Sequence, residues 1–236
     1  MRRFRIRFVL NFYFLIICWS LLPSYSQEVP AYSTVEQITS EPQLLTNGRI
    51  WHNLYFKTQG HAFFLSPEFL EGNLYFNGRR YQGLSMKYDL INDELLLGLP
   101  YQPVIIINKE MVDSFTLSYN DRSYLIVNMG EDSANVVRGY TNVLYSGKTA
   151  MFIKYVKHVH PLAVDQKFDL ITQSHRIYLK KDTSLVQVQG SRGFMKLLAD
   201  RNKELKQFIK SRKIQFMRRD PYTFIPVIKY YDSLTQ

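Results

Sequence analysis

The chain has 236 residues and a formal net charge of +10, and 46% of its residues are hydrophobic. That length suits one domain with a sizeable core. A single cysteine, Cys18, excludes a disulfide framework. The charge is uneven: from residue 192 onward there are eleven basic and four acidic side chains. The basic character therefore belongs to the C-terminal segment rather than to the whole protein.

The first 26 residues have the layout of a secretory signal peptide. A positive region is followed by the apolar run 8–22, and Ser24 and Ser26 supply small residues before a predicted cut at Gln27. The positive charges are Arg2, Arg3, Arg5 and Arg7. We therefore expect export, to the periplasm, the cell surface or the medium.

Two alternatives concern the same segment. An uncleaved membrane anchor needs about 20 apolar residues, and the run here has only 15. A lipid on Cys18 would require a small residue before it, but Ile17 is there. Once cleaved, the mature chain would have no cysteine and no thiol chemistry.

Residues 27–46 are polar, lack a clear period and are interpreted as a linker or flexible arm. From residue 47 to residue 190, short apolar runs alternate with turn signals such as the NG pairs at 47–48 and 77–78. Tyr and Phe, with 17 and 16 copies, favour half-buried pleated surfaces. The pattern predicts an antiparallel meander of nine to eleven strands, either half-barrel or sandwich-like.

The stretch RRYQGLSMKYDLINDELLLGL at 79–99 predicts a β-hairpin. Alternation places one set of side chains in the core and leaves the other set, with Ser85, Lys87 and Asp89, in water. The predicted core set is Leu84, Met86, Tyr88, Leu95 and Leu97. On this basis Met86→Asp should be costly, and Lys87→Asp should be nearly neutral.

Residues 191–236 change to helical spacing and predict amphipathic helices docked on the β domain. Ser191 and Asp200 are plausible N-caps, and Asp220 with Pro221 suits the start of the last helix. The predicted docking residues are Phe194, Leu198, Leu205 and Phe208. The fold class is therefore α+β, predominantly β.

The order of these segments resembles a group of uncharacterised exported proteins of the Bacteroidota. The resemblance rests on GHAFFL, GNLYFNGRRY, KYDLINDEL, the meander, GFMKLLADRNKELKQFIKSRKIQF and YYDSL, and covers residues 45–236. It implies origin and export, and no catalytic residues. A looser likeness is to half-barrel periplasmic lipoprotein carriers, although those wrap their sheet around helices that come earlier in the chain.

The clearest metal-like pattern is KHVHP. His158 and His160 alternate on a strand and share a face, so they could ligate zinc or copper if a third ligand joined them. His52, His61 and His175 are possible third ligands, but two exposed histidines before Pro161 are the simpler interpretation. The acidic turn at 89–94 lacks the spacing of a calcium loop and is interpreted as a polar hairpin turn.

The basic helices could contact an anionic membrane surface, or could simply have a solvated outer face. The residues concerned are Lys203, Lys206, Lys210, Arg212 and Lys213. Export argues against a nucleic-acid partner.

No catalytic motif and no cofactor motif occurs in the sequence. The leading hypothesis is a non-enzymatic exported module that binds an envelope protein, a lipid or a glycan, or acts as a scaffold. The alternatives are a hydrolase whose site assembles only in three dimensions and a lipid or lipoprotein carrier. A pocket that joins His158 and His160 to carboxylates would favour the enzyme, whereas an aromatic groove would favour binding.

We predict that the mature protein begins at Gln27 and is found outside the cytoplasm, because the three regions of a signal peptide agree. Intact-mass analysis of the protein recovered from its producing cells tests this. A mass that retains residues 1–26, or that includes a lipid on Cys18, would contradict it.

Overall fold

The computed structural model describes residues 43–132 and 135–235. The predicted signal peptide, and residues 27–42 of the predicted linker, lie outside the described residues. The last four residues of that predicted linker form a short helix, in which Leu45 is buried.

The described residues contain twelve strands and four α-helices. The strands are β1 (Arg49–Ile50), β2 (Thr58–Gln59), β3 (Leu70–Phe76), β4 (Arg79–Asp89), β5 (Glu94–Gly98), β6 (Ile105–Ile106), β7 (Val112–Tyr119), β8 (Arg122–Asn128), β9 (Tyr140–Ser146), β10 (Ala150–Val164), β11 (Phe168–Lys181) and β12 (Ser184–Val188). The helices are α1 (Gln43–Thr46), α2 (Gly190–Leu197), α3 (Asn202–Ser211) and α4 (Ile225–Leu234). Short 3-10 helices span Lys109–Met111, Ala199–Arg201 and Pro221–Phe224.

All twelve strands belong to one open sheet in the order β1-β6-β5-β4-β3-β7-β8-β9-β10-β11-β12, with β2 beside β11. Every pairing along this order is antiparallel, and only the two-residue pairing of β2 with β11 is parallel. Short turns join most neighbours, because antiparallel strands need no crossover helix. The predicted class, α+β and predominantly β, is confirmed.

The predicted hairpin at 79–99 is confirmed. Met86 pairs with Leu97, and Tyr88 pairs with Leu95. All five side chains that were assigned to the core are at most 3% exposed. Asp93 ends the turn with a φ of +57°, a conformation that Asp tolerates better than most residues.

The opposite face of this hairpin is not the solvated surface that alternation predicts. The Lys87 ammonium lies 4.8 Å from the ring centre of Phe63 and 4.3 Å from that of Phe69. Asp89 is fully buried, and its carboxylate accepts hydrogen bonds from the Ile91 and Asn92 amides. The segment 61–69, which has no regular period, covers this face, and so the periodicity of β4 alone could not reveal the cover.

The C-terminal helices pack against one face of β10, β11 and β12. Phe194, Leu198 and Leu205 are fully buried in a cluster with Met151 and Leu179. The Phe208 ring stacks on Tyr230 with ring centres 4.1 Å apart. No helix within the described residues is both long enough and apolar enough to cross a membrane.

Two predicted helix caps are wrong. The helix α2 begins at Gly190 after Gln189, so Ser191 lies inside it. Asp200 does not cap α3, which follows Arg201; its carboxylate instead accepts hydrogen bonds from the Lys181 ammonium and the Tyr231 hydroxyl. Ser191 misses the cap position because the helix begins one residue earlier, and Asp200 does so because spacing along the chain cannot show its tertiary partners.

The third predicted start is partly right. The Asp220 carboxylate accepts a hydrogen bond from the Tyr222 amide, and Pro221 follows it, but the segment that they begin is the 3-10 helix 221–224. Pro226 lies in the first turn of α4, where its missing N–H leaves no intrahelical bond unmade.

Lys87→Asp should therefore lower the free energy of unfolding by about 1–3 kcal/mol, because it removes two cation–π contacts and places a new anion beside the buried Asp89. Lys180→Asp is the matched control, since Lys180 also lies on a strand but its side chain is exposed. Urea unfolding of the two variants measures the difference. Equal urea midpoints for the two variants would contradict the conclusion that the segment 61–69 covers Lys87.

Candidate functional site

Two of the cavities lined by described residues differ in chemistry. The larger, of about 810 Å³, lies beside the β4–β5 turn, and Asp93, Lys109, Glu131, Asn92 and Asn128 are among the residues that line it. The smaller, of about 310 Å³, is lined largely by aromatic rings. We call them the polar cleft and the aromatic pocket.

The polar cleft is organised by one carboxylate. Asp93 accepts hydrogen bonds from the Lys109 ammonium at 2.6 Å, from the Lys154 ammonium at 2.7 Å and from the Tyr88 hydroxyl at 2.6 Å. The Tyr140 amide adds a fourth donor at 3.3 Å. Burial raises the pKa of Asp93, but the two lysines and the tyrosine outweigh burial and hold this pKa below its usual value. Each of the two Asp93 carboxylate oxygens thus has two donors from within the protein, which is typical of a structural network.

The aromatic pocket is assembled from four separate segments. Phe64 comes from the segment before β3, Tyr124 from β8, Tyr155 from β10 and Tyr222 from the C-terminal 3-10 helix. The ring centre of Phe64 lies 5.1 Å from that of Tyr155 and 5.6 Å from that of Tyr124. Leu65 completes the apolar part of the wall. Rings at these separations present apolar faces and edges to a ligand.

Main-chain hydrogen bonds fix the segment 61–65 against β4. The Phe64 amide donates to the Tyr88 carbonyl at 2.8 Å, and the Leu90 amide donates to the Ala62 carbonyl at 2.9 Å. Leu65 has a φ of +62°, in the left-handed region that a bulky side chain rarely adopts. Such strain persists only where its surroundings enforce it, and it is concentrated at functional sites in proteins.

Lys157 joins β10 to the same segment. Its ammonium donates to the carbonyls of His61 and Phe63, each at 2.7 Å, and lies 3.4 Å from the Nδ1 atom of the His61 ring. The Lys157 amide also donates to the Leu90 carbonyl at 3.1 Å. Only 8% of this lysine is exposed. One residue of β10, Lys157, therefore connects this strand to the segment 61–65 through its side chain and to the residue after β4 through its main chain.

Burial and neighbouring charge change the titration of these groups. Burial lowers the pKa of Lys157 to about 8, although Asp89 opposes the shift. Burial also lowers the pKa of His61, with further contributions from the charges of Lys157 and Lys87. At neutral pH the pocket therefore contains a largely charged lysine beside a neutral imidazole.

The structure separates the predicted metal candidates from both cavities. His158 Nε2 lies 3.3 Å from the Ser174 hydroxyl, and His160 Nε2 lies 2.8 Å from the Thr172 hydroxyl. Both histidines are exposed on β10. Across the described ranges 43–132 and 135–235, no three His, Cys, Asp or Glu side chains are grouped so that they could hold a metal ion.

The three other histidines are also apart. His52 is exposed, His61 faces Lys157, and His175 Nε2 lies 2.9 Å from the Arg218 carbonyl.

The predicted anionic-surface residues lie on and just after α3, and all of them are exposed: Lys203, Lys206, Lys210, Arg212 and Lys213. The opposite side of α3 is held in the core by Leu205. This arrangement fits the solvated outer face as well as it fits a membrane contact.

Sequence reasoning missed Lys157, although it lies next to the histidines that drew attention. Its position in the strand could have revealed it. Lys157 alternates with Ile153 and Tyr155 and so shares their face of the strand, whereas His158 and His160 lie on the opposite face. A charged residue in the inward set predicts a buried partner. The four rings could not be grouped from sequence, because the pocket joins positions as distant as 64 and 222.

Comparisons with protein-family models, curated proteins and solved structures found no match to this chain. The resemblance to exported Bacteroidota proteins therefore stays a prediction.

We expect one lysine to titrate at a pH of about 8, because burial disfavours its charged form. The measurement is an NMR titration of the lysine Cε resonances, in which Lys157→Arg should remove the early-titrating signal. Lys180→Arg is the control and should leave that signal in place. A wild-type spectrum in which every lysine titrates near 10.5 would contradict the prediction.

Asp93→Asn should cost about 3 kcal/mol of unfolding free energy, because the partly buried Lys154 loses its counter-charge and Lys109 is left with the more exposed Glu131. Arg49→Gln is the control: it removes an ion pair to Glu94 in which the arginine side chain is 78% exposed, and it should cost about 1 kcal/mol or less. Urea unfolding at neutral pH compares the two. Equal losses would contradict the central role of Asp93.

The same aspartate should make the stability of the protein depend on pH. Its pKa is lowered in the folded state, so its stabilising contribution is present above the unfolded-state pKa of about 4 and is lost as the pH falls through the lower, folded-state pKa. Acid should therefore narrow the stability difference between wild type and Asp93→Asn.

Proposed function

We propose that this protein is an exported, non-enzymatic binding module of the cell envelope, and that its ligand site is the aromatic pocket. The observation that carries the proposal is the convergence of four rings from distant segments around one cavity. Aromatic side chains give a ligand a large contact area at a low entropic cost. A strained leucine in the wall, next to Phe64 whose amide bonds to β4, adds the preorganisation that a binding site requires.

The volume of the cavity limits the size of the ligand. A volume of about 310 Å³ is at the lower end of the range of small-molecule sites, roughly 300–1,000 Å³. It suits a single ring, either aromatic or a sugar, that lies flat against Phe64 or Tyr155. That ring can be a free molecule or the end of a glycan.

The carrier alternative is less well supported. The larger cavity is lined by charged and amide side chains, and a hydrocarbon chain placed there would desolvate polar groups without replacing their hydrogen bonds. The hydrolase alternative requires carboxylates near His158 and His160, but the side chains that these histidines contact are the hydroxyls of Ser174 and Thr172. Neither alternative has an observation of its own.

The test is a binding assay with defined probes on the chain from residue 27 onward. Methyl β-glucoside, N-acetylglucosamine, indole, phenylacetamide and phenylacetate are titrated by ligand-observed NMR. Tyr222→Ala should weaken binding about fivefold to tenfold, since one stacking ring contributes about 1 kcal/mol. Tyr222 is a suitable target because it is partly exposed, so that its loss should leave the core intact.

Tyr75→Ala is the matched control, because Tyr75 is a similarly exposed tyrosine that does not line the pocket. It should bind the probes as the wild type does. If no probe binds, or if both variants bind like the wild type, the aromatic pocket is not the ligand site.

A further inference from the structure

Every polar side chain that lines the aromatic pocket can donate a hydrogen bond, and one of them, Lys157, is a cation. Lys157, His61 and Gln173 line the pocket together with the tyrosine hydroxyls, and no aspartate or glutamate is among the lining residues. A site of this composition favours a ligand that brings acceptors and negative charge.

The Lys157 ammonium has an incompletely used hydrogen. Two of its three N–H groups are directed at main-chain carbonyls at 2.7 Å, and the third has only the His61 Nδ1 atom at 3.4 Å. Within the described residues, no carboxylate forms an ion pair with Lys157 at hydrogen-bonding distance; Asp89 acts on it only through the longer-range field. A buried cation without a counter-ion is costly, and a bound anion would remove that cost.

His61 can supply a second donor. When Nδ1 faces the lysine as an acceptor, the neutral ring carries its proton on Nε2. The lowered pKa of His61 fits that neutral form. A bound carboxylate can then take the third ammonium hydrogen in place of the distant Nδ1 atom and accept the Nε2 hydrogen of His61 at its other oxygen.

On this basis, and resting on the proposed function, we infer that the ligand of the aromatic pocket is a ring that bears a carboxylate, which Lys157 and His61 bind while the aromatic side chains hold the ring. Aryl carboxylates and uronic acids share this chemistry. A quaternary ammonium, which aromatic cages often bind, is disfavoured here because Lys157 repels it.

The inference predicts a pH dependence of binding. Lys157 is mostly protonated at pH 7 and mostly neutral at pH 9.5, so that a carboxylate loses its counter-charge as the pH rises. The titratable groups that line the pocket with Lys157 are His61, Tyr124, Tyr155 and Tyr222. The charge of Asp89 acts on Lys157, and that of Lys87 acts on His61. The tyrosines stay neutral at pH 9.5 where burial raises their pKa, as it does for Tyr155 and Tyr222.

The experiment compares three probes of similar shape: phenylacetate, its neutral isostere phenylacetamide, and benzyltrimethylammonium. Glucuronate and methyl β-glucoside form a second pair, which distinguishes a sugar acid from an aryl acid. Dissociation constants are measured at pH 7.0 and pH 9.5 on the wild type. We expect each preferred acid to bind about tenfold more tightly than its neutral partner at pH 7.0, and to lose most of that advantage at pH 9.5.

Two variants of Lys157 and one control variant complete the test. Lys157→Met should abolish the preference for the acid, and Lys157→Arg should retain it; Lys180→Met, on an exposed strand position, should change nothing. Since Lys157→Met also removes the donor to two carbonyls, the comparison of pH values on the wild type decides the question if this variant does not fold.

The outcomes separate the two proposals. Equal binding of acid and amide at pH 7.0, or tighter binding of the ammonium probe, overturns the carboxylate inference and leaves the ring site in place. A preference for the acid that persists unchanged at pH 9.5 also overturns it. Absence of binding by every probe overturns the proposed function itself.

Discussion

The Asp93 carboxylate is the interaction on which the rest of the fold depends. It lies at the end of the β4–β5 turn and receives ammonium groups from Lys109, which precedes β7, and from Lys154 in the middle of β10. These donors come from parts of the chain 16 and 61 residues away. A single charged group thus joins the early hairpin to the late strands.

Space around this carboxylate is tightly limited. A Cβ atom on Gly139 would lie 1.9 Å from Asp93 Oδ2, and Gly139 also has a φ of +67°. Both facts require glycine there, because a side chain would clash and would strain the backbone. Next to it, Tyr140 packs edge-on against Tyr88 and Phe115. The polar network and the aromatic core therefore constrain each other.

The aromatic pocket is built on that same frame. At the end of β4, the Tyr88 carbonyl accepts a hydrogen bond from the Phe64 amide. The residue after the strand, Leu90, bonds both to the segment 61–65 and to Lys157. Displacing the β4–β5 turn would therefore move the loop that carries Phe64 and the strand that carries Tyr155 and Lys157.

The elements that sequence predicted well are those with a regular period. The hairpin at 79–99 follows from alternation alone, and the C-terminal helices follow from the spacing of Phe194, Leu198 and Leu205. The cover over Lys87 could not be predicted, because the segment 61–69 has no period. Local spacing predicts Ser191 and Asp200 as helix caps. In the structure α2 begins before Ser191, and the Asp200 carboxylate bonds to Lys181 and Tyr231. The pocket was out of reach for the same reason: rings from 64, 124, 155 and 222 meet only in the fold.

The last of these rings has a consequence for the order of events in the life of the chain. Tyr222 belongs to a segment that is made some 160 residues after Phe64, and it is held in place by helices that pack on β10 to β12. A nascent chain therefore has three walls of the pocket and lacks the fourth until synthesis has passed residue 222. Full-strength binding at the pocket, as proposed above, therefore requires that translation has passed residue 222, because a shorter product lacks one of the four rings.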